Sequence, residues 1–181
     1  MSKTDIAVAV YDTHTKAETA VKTLQKDGFD MKTISIIGRD YHTEQHVLGY
    51  FNTGDRVKFF GKLGAFWGGL AGLLFGSALM FVPVVGHVIV LGPFVATLLS
   101  GVQGAVLGGG AGALVGGLSA IGIPKDSVLR YETALKADKF LLMVNADQQE
   151  IRRAHEVLAG ADLVSFDHHR VSSAAADVVR P

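Results

Sequence analysis

From Leu63 through Pro124 the chain runs for 62 residues without one lysine, arginine, aspartate or glutamate. No other feature constrains the fold as strongly, because an uncharged stretch of that length must find somewhere to hide from water. All 17 basic and all 17 acidic residues lie in the flanks, and 17 of the 22 glycines fall between Gly61 and Gly122. With 181 residues, the chain has room for one domain, or for one domain plus an insertion. Cysteine is absent, which removes disulfides, thiolate catalysis and cysteine metal ligands. The opening "MSKTDIAVAVYDTHTK" has no apolar run long enough for a signal peptide, so the flanks are expected to stay in the cytoplasm.

If helical throughout, the uncharged stretch would be about 93 Å long at about 1.5 Å per residue, three times the roughly 30 Å of a bilayer core. Pro83 and Pro93 divide it, giving one expected helix near Lys58 to Val82 and another near Phe94 to Gly122. The expectation is a transmembrane helical hairpin. Glycine is a poor helix former in water, but in lipid an unpaired backbone group costs several kcal/mol, so the bilayer would enforce the helix.

Residues four apart share a helix face. The first helix then carries Gly64, Gly68, Gly72 and Gly76 in one groove, and the second carries Gly104, Gly108, Gly112 and Gly116, flanked in register by Ser100 and Ala120. Such grooves let backbones approach closely where lipid provides no hydrophobic drive between helices. A second stripe, Ala105, Gly109, Ala113 and Gly117, is rotated by about 100° and would face a neighbouring subunit. A homo-oligomer embedded in the lipid bilayer is expected.

Arg56, Lys58 and Lys62 precede the hairpin and Lys125, Arg130 and Lys136 follow it, which places both mouths, and both termini, at the cytoplasmic face of a bacterial inner membrane. The uncharged connector, residues 82–93, either caps the far side or stays embedded; two full crossings are the favoured reading.

The flanks have alternating strand and helix patterns. "DIAVAVY" (5–11), "AETAVKTLQKDG" (17–28) and "KTISIIG" (32–38) form one βαβ unit, and "KFLLMVNA" (139–146), "DQQEIRRAHEVLAG" (147–160) and "DLVSFDH" (162–168) repeat it. An offset of 134 matches Ile6 with Phe140, Val10 with Val144, Tyr11 with Asn145, Ala20 with Ala154 and Leu24 with Leu158. The expected class is therefore α+β: a ferredoxin-like βαβ-βαβ cytoplasmic domain, with the glycine-rich hairpin inserted between its second and third strands. By residue, 1–40 is the first half of that domain, 41–57 a juxtamembrane linker, 58–123 the hairpin, 124–169 a surface helix and the second half, and 170–181 a disordered tail. "PKDSVLRYETALK" reads as an amphipathic helix with Val128, Tyr131 and Leu135 on one side, lying on the membrane surface or against the sheet.

"GYFNTGDRVKFFGKLGAFWGGLAGLLFG" and, later, "IGIPKDSVLRYETALKADKFLLMVNA" resemble bacterial small membrane proteins of the general stress, or heat-induced stress (YflT-like), group. The resemblance runs over roughly residues 5–168. It implies a stress-associated, membrane-embedded protein, and it brings no catalytic residues with it.

The chain offers little chemistry. His42 and His46 would share a helix face but lack a third metal ligand at suitable spacing, so no metal or other cofactor is expected. His168 and His169 are adjacent on a strand and face opposite ways. The polar groups of interest in the insertion are His87, read as a residue at the hairpin tip, and Gln103, read as a hydrogen-bonding group between helices. "VLGGGAGALVGG" lacks the Lys and Ser/Thr of a phosphate-binding loop. Zero net charge and the missing aromatic signature on the strands argue against nucleic acid. The chain is thus read as a non-enzymatic, oligomeric inner-membrane protein presenting ferredoxin-like domains to the cytoplasm, with no small-molecule ligand identified. The alternative is a channel, transporter or ligand-sensing membrane regulator.

Overall fold

In the computed structural model the described residues are 5–39, 69–70, 73–74, 79–82, 88–94 and 111–170. They form strands β1 (Asp5–Tyr11), β2 (Ile34–Arg39), β3 (Leu79–Val82), β4 (Val88–Leu91), β5 (Phe140–Ala146) and β6 (Ser165–His169). The helices are α1 (His14–Lys26), α2 (Ala111–Ala120), α3 (Lys125–Lys136) and α4 (Gln148–Leu158). The six strands make one sheet in the order β3-β4-β2-β5-β1-β6, and every neighbouring pair is antiparallel.

Local chemistry explains the helix ends. Thr13 caps α1 by accepting from Lys16 N–H, and Asp147 caps α4 by accepting from the amides of Gln149 and Glu150, both at 2.9 Å. Three helices stop in the same way. At the end of α1, Phe29 N–H bonds to Leu24 C=O and Gly28 N–H to Gln25 C=O, with Gly28 at φ +83°. Gly122 ends α2 with the same pair of bonds at φ +88°, and Asp138 ends α3 at φ +58°. This is the Schellman closure, which turns the chain sharply and satisfies the last carbonyls.

Helices cover both faces of the sheet, so its central strands are largely apolar, as in β1, where all seven residues are buried, and in β5, whereas the edge strand β6 is polar. On one face α1 and α4 bury Ala17, Val21, Leu24, Ile151 and Leu158 over Ala7, Ala9, Tyr11, Leu142 and Val144. On the other, α2 and α3 bury Leu118, Val128, Tyr131 and Leu135 over Ile6, Val8, Val10, Leu141 and Met143. The amphipathic segment after Pro124 therefore lies against the sheet.

The fold class expected from the sequence is overturned in its defining part. Among the described residues no helix is long and apolar enough to cross a membrane. Leu79–Val82, expected inside the first membrane helix, is strand β3, and the expected connector contributes β4, which pairs with β2. Of the second membrane helix, α2 is the described part. Its 10 residues span about 15 Å, half a bilayer core. "LMFV" and "VIVL" are wholly apolar and include the β-branched and aromatic residues that suit a pleated surface, and the ladder pairs β4 on both sides and β3 on its inner side. Leu70 and Leu74, at 1% and 0% exposure, enter the α1/α4 core, and Phe94, Leu118, Ile121 and Ile123 enter the other. The four strands of the flanks take the order β2-β5-β1-β6 with α1 and α4 on one face, the arrangement expected of a ferredoxin-like domain, but in place of the expected membrane hairpin the uncharged segment supplies two further strands and part of both helical layers. The inner-membrane location with cytoplasmic termini loses its basis. So do the oligomeric inner-membrane function and the channel, transporter or membrane-regulator alternative.

The internal repeat survives in the helices and slips in the strands. Ala20 and Ala154, and Leu24 and Leu158, are all 0% exposed on the same face. Ile6 and Phe140, however, lie on opposite faces of the sheet, as do Val10 and Val144. A strand has a side-chain period of two, so an offset wrong by one residue inverts the face, whereas a helix tolerates it better.

Candidate functional site

Where β4 meets β2, Gly92 adopts φ +103°, and a β-carbon there would press on the Ile34 carbonyl oxygen and lie 2.6 Å from Ser35 Cα. Only glycine permits this approach. It brings the Phe94 amide within 3.1 Å of buried Ser35 Oγ, which accepts its hydrogen bond. Next to it lies a small cavity of about 20 Å³, lined by Ile6, Thr33, Ser35, Phe94, Ile121 and Asn145 among others, with room for one water.

One strand further along that face the fold gathers ionisable groups. Asp167 and His169 are two apart on β6 and so share a face, opposite Val8 and Ile6 of β1. Tyr131 descends onto them from α3. Its hydroxyl donates to Asp167 Oδ2 at 2.9 Å and lies 2.6 Å from His169 Nε2. A phenol has one proton; with that proton directed to Asp167, its oxygen accepts from His169, which fixes the Nε2–H tautomer of a neutral ring. The two rings meet edge-on with centroids 5.9 Å apart. Arg130, next in the chain, places a guanidinium nitrogen 3.5 Å from Asp167 Oδ2 and donates to the hydroxyl of buried Ser127.

Tyr131 is 1% exposed and His169 9%. Burial, with the Asp167 hydrogen bond second, pushes the Tyr131 phenol far above its ordinary range. Burial likewise pulls His169 below its ordinary 6.5, against the opposing pull of the Asp167 carboxylate. Both groups are therefore held neutral near pH 7. On the opposite face, His168 Nε2 lies 2.7 Å from Oδ2 of buried Asp5. The adjacent histidines thus serve two different contacts across the sheet.

The glycine-groove residues are only partly described. Gly64, Gly68, Gly72, Gly76, Gly104, Gly108, Ala105 and Gly109 lie outside the described residues, as do His42, His46, His87 and Gln103. Gly112, Ala113, Gly116 and Gly117 fall in α2, where Gly116 is exposed and Gly117 buried. Among the described residues no group of three or more His, Cys, Asp or Glu could hold a metal ion. In the sequence Tyr131 is one apolar position on a helix face, and nothing local marks its hydroxyl as engaged. The signal available was the Asp-x-His spacing on β6, which sends two polar side chains to one face.

Comparison with curated proteins and with solved structures gives no match, whereas residues 6–80 match the family model described as the heat induced stress protein YflT domain.

Proposed function

We propose that this chain is a non-enzymatic protein of the general stress response that works by assembling with further copies of itself, its sheet and helices being the assembling body. The observation that carries the non-enzymatic part is that Tyr131 and His169 are buried and spend their polar atoms on each other and on half-buried Asp167. They sit at 1% and 9% exposure, and the cluster fastens α3 to the sheet edge. A reaction centre needs an approach for substrate and a group left free to act on it. This cluster works as a fastener, holding one helical layer on the sheet. The match over residues 6–80 supports the assignment to stress physiology.

The test is heat survival of cells whose only copy of the gene carries Tyr131→Phe, Asp167→Asn or His169→Gln, alongside the melting temperature of each purified variant. Under this reading survival follows the folded fraction. A variant that melts like wild type yet abolishes survival would point to chemistry and overturn the non-enzymatic reading. Light scattering of the purified protein tests the assembly part, which a monomer at every concentration would refute.

A further inference from the structure

We infer that the cavity between β2, β5 and the end of α2 is the binding site of one ordered water, which joins the buried Ser35 hydroxyl to the Asn145 side-chain amide. The site stands independently of the assembly reading above.

Asn145 occupies a central strand, between β2 and β1, where asparagine is a poor fit. By side-chain alternation it shares the face of Leu141 and Met143, the face covered by α2 and α3. A primary amide there brings two donor protons and an acceptor oxygen that need partners. Among the described residues no hydrogen bond engages its side chain. Ser35 has the complementary need. It is 3% exposed, and its Oγ accepts the Phe94 N–H at 3.1 Å, so its own proton has still to be donated. Among the described residues no acceptor takes that proton.

The two side chains are spaced to share a bridging molecule. In the β2–β5 ladder Ser35 sits opposite Met143, which makes Asn145 its diagonal neighbour. Diagonal neighbours stand about 7–8 Å apart, a gap that two short side chains close through one molecule between them. Both line the same cavity of about 20 Å³, which exceeds the roughly 10–15 Å³ that one water needs.

The lining selects the ligand. It holds neither a carboxylate nor a cationic side chain, so it offers an ion no counter-charge. Ile6, Phe94, Ile121 and Met143 are apolar walls, against which a polar group left unpaired bears its full desolvation cost. A water accepts the Ser35 proton and donates to the Asn145 carbonyl oxygen. Its second proton is available to Thr33, whose hydroxyl also lines the cavity and spends its own proton on the Asp30 carbonyl. Three partners are the usual number for a buried water. So placed, it ties the exit of β4, where Phe94 meets Ser35, to the central strand β5.

Oxygen-17 relaxation dispersion on the full-length protein tests the site, because it counts waters that stay longer than the protein takes to tumble and is blind to exchanging hydroxyl protons. Asn145→Leu, which keeps the side-chain size and removes both polar atoms, is expected to lower the count by one. Gln149→Leu, on the exposed side of α4, should leave the count unchanged. A crystal structure of the wild-type chain decides without any variant, even if the leucine chain does not fold: density for a water within hydrogen-bond distance of both Ser35 Oγ and the Asn145 amide is expected. A folded Asn145→Leu protein with the wild-type count overturns the site, and so does a crystal in which Ser35 and Asn145 bond directly or no water lies between them.

Discussion

The two faces of the sheet each bury a tyrosine and treat it differently. On the α1/α4 face, Tyr11 is 0% exposed and its hydroxyl has no hydrogen-bond partner among the described residues. On the α2/α3 face, Tyr131 is equally enclosed, but its hydroxyl is held by Asp167 and His169. Both phenols are pushed well above their usual range by burial, and for Tyr11 burial is the whole cause. The difference teaches that enclosure and satisfaction are separate properties. One face is an almost purely apolar core with a tolerated orphan; the other is fastened by a polar network whose members depend on one another.

The largest expected effect tests whether the second face is a core at all. Leu141 and Leu142 are neighbours on β5, each 0% exposed, and they point into opposite layers. Replacing either with alanine should cost about 2–5 kcal/mol in urea unfolding. If Leu141→Ala costs almost nothing while Leu142→Ala is severe, α2 and α3 do not cover their face. A middle-sized effect separates the tyrosines. Tyr131→Phe leaves half-buried Asp167 and buried His169 short of a partner and should cost about 1–3 kcal/mol, whereas Tyr11→Phe removes an orphan hydroxyl and should be close to neutral. Equal losses would erase the contrast.

The smallest effect is the pH dependence of stability. His169 has its pKa lowered in the folded protein, so in the window below about 6.5 the unfolded chain binds a proton that the folded chain declines. Stability should therefore fall as pH drops through that window and be fully present above it. His169→Gln should flatten the slope there. The groups facing His169 are Tyr131, Asp167 and Arg130, with His168 beside it in the chain. Asp12, whose carboxyl the Lys16 hydrogen bond holds low, titrates in a separate and more acid window. A slope unchanged in His169→Gln would show that the ring is not the titrating group.

Much of the framework was legible because composition, period and turn glycines are local. The Val- and Ile-rich run of β1, the helical spacing through Leu24 with its stop at Gly28, the strand at Phe140–Ala146 and the apolar side of α3 follow from local composition, helical period and a turn glycine. The Tyr131 cluster was not legible, because it unites residues 36 and 38 positions apart, and a tyrosine on an apolar helix face looks like any core residue until its neighbour is known. Gly92 was equally silent: its need for positive φ comes from Ile34 and Ser35 on another strand.

The uncharged middle of the chain marks the boundary between what each level decides. By itself the sequence determined that this segment would leave water, since 62 residues without a charge leave no other economical outcome. Tertiary structure decided what its described parts would be dissolved in. They became two strands of the sheet and cover for both faces, and no membrane-spanning helix stands among them. Hydrophobicity is proportional to area and has no direction, so it cannot distinguish acyl chains from the interior of the same protein. That distinction is made only when a strand edge such as β2 is present to take up the segment's backbone hydrogen bonds.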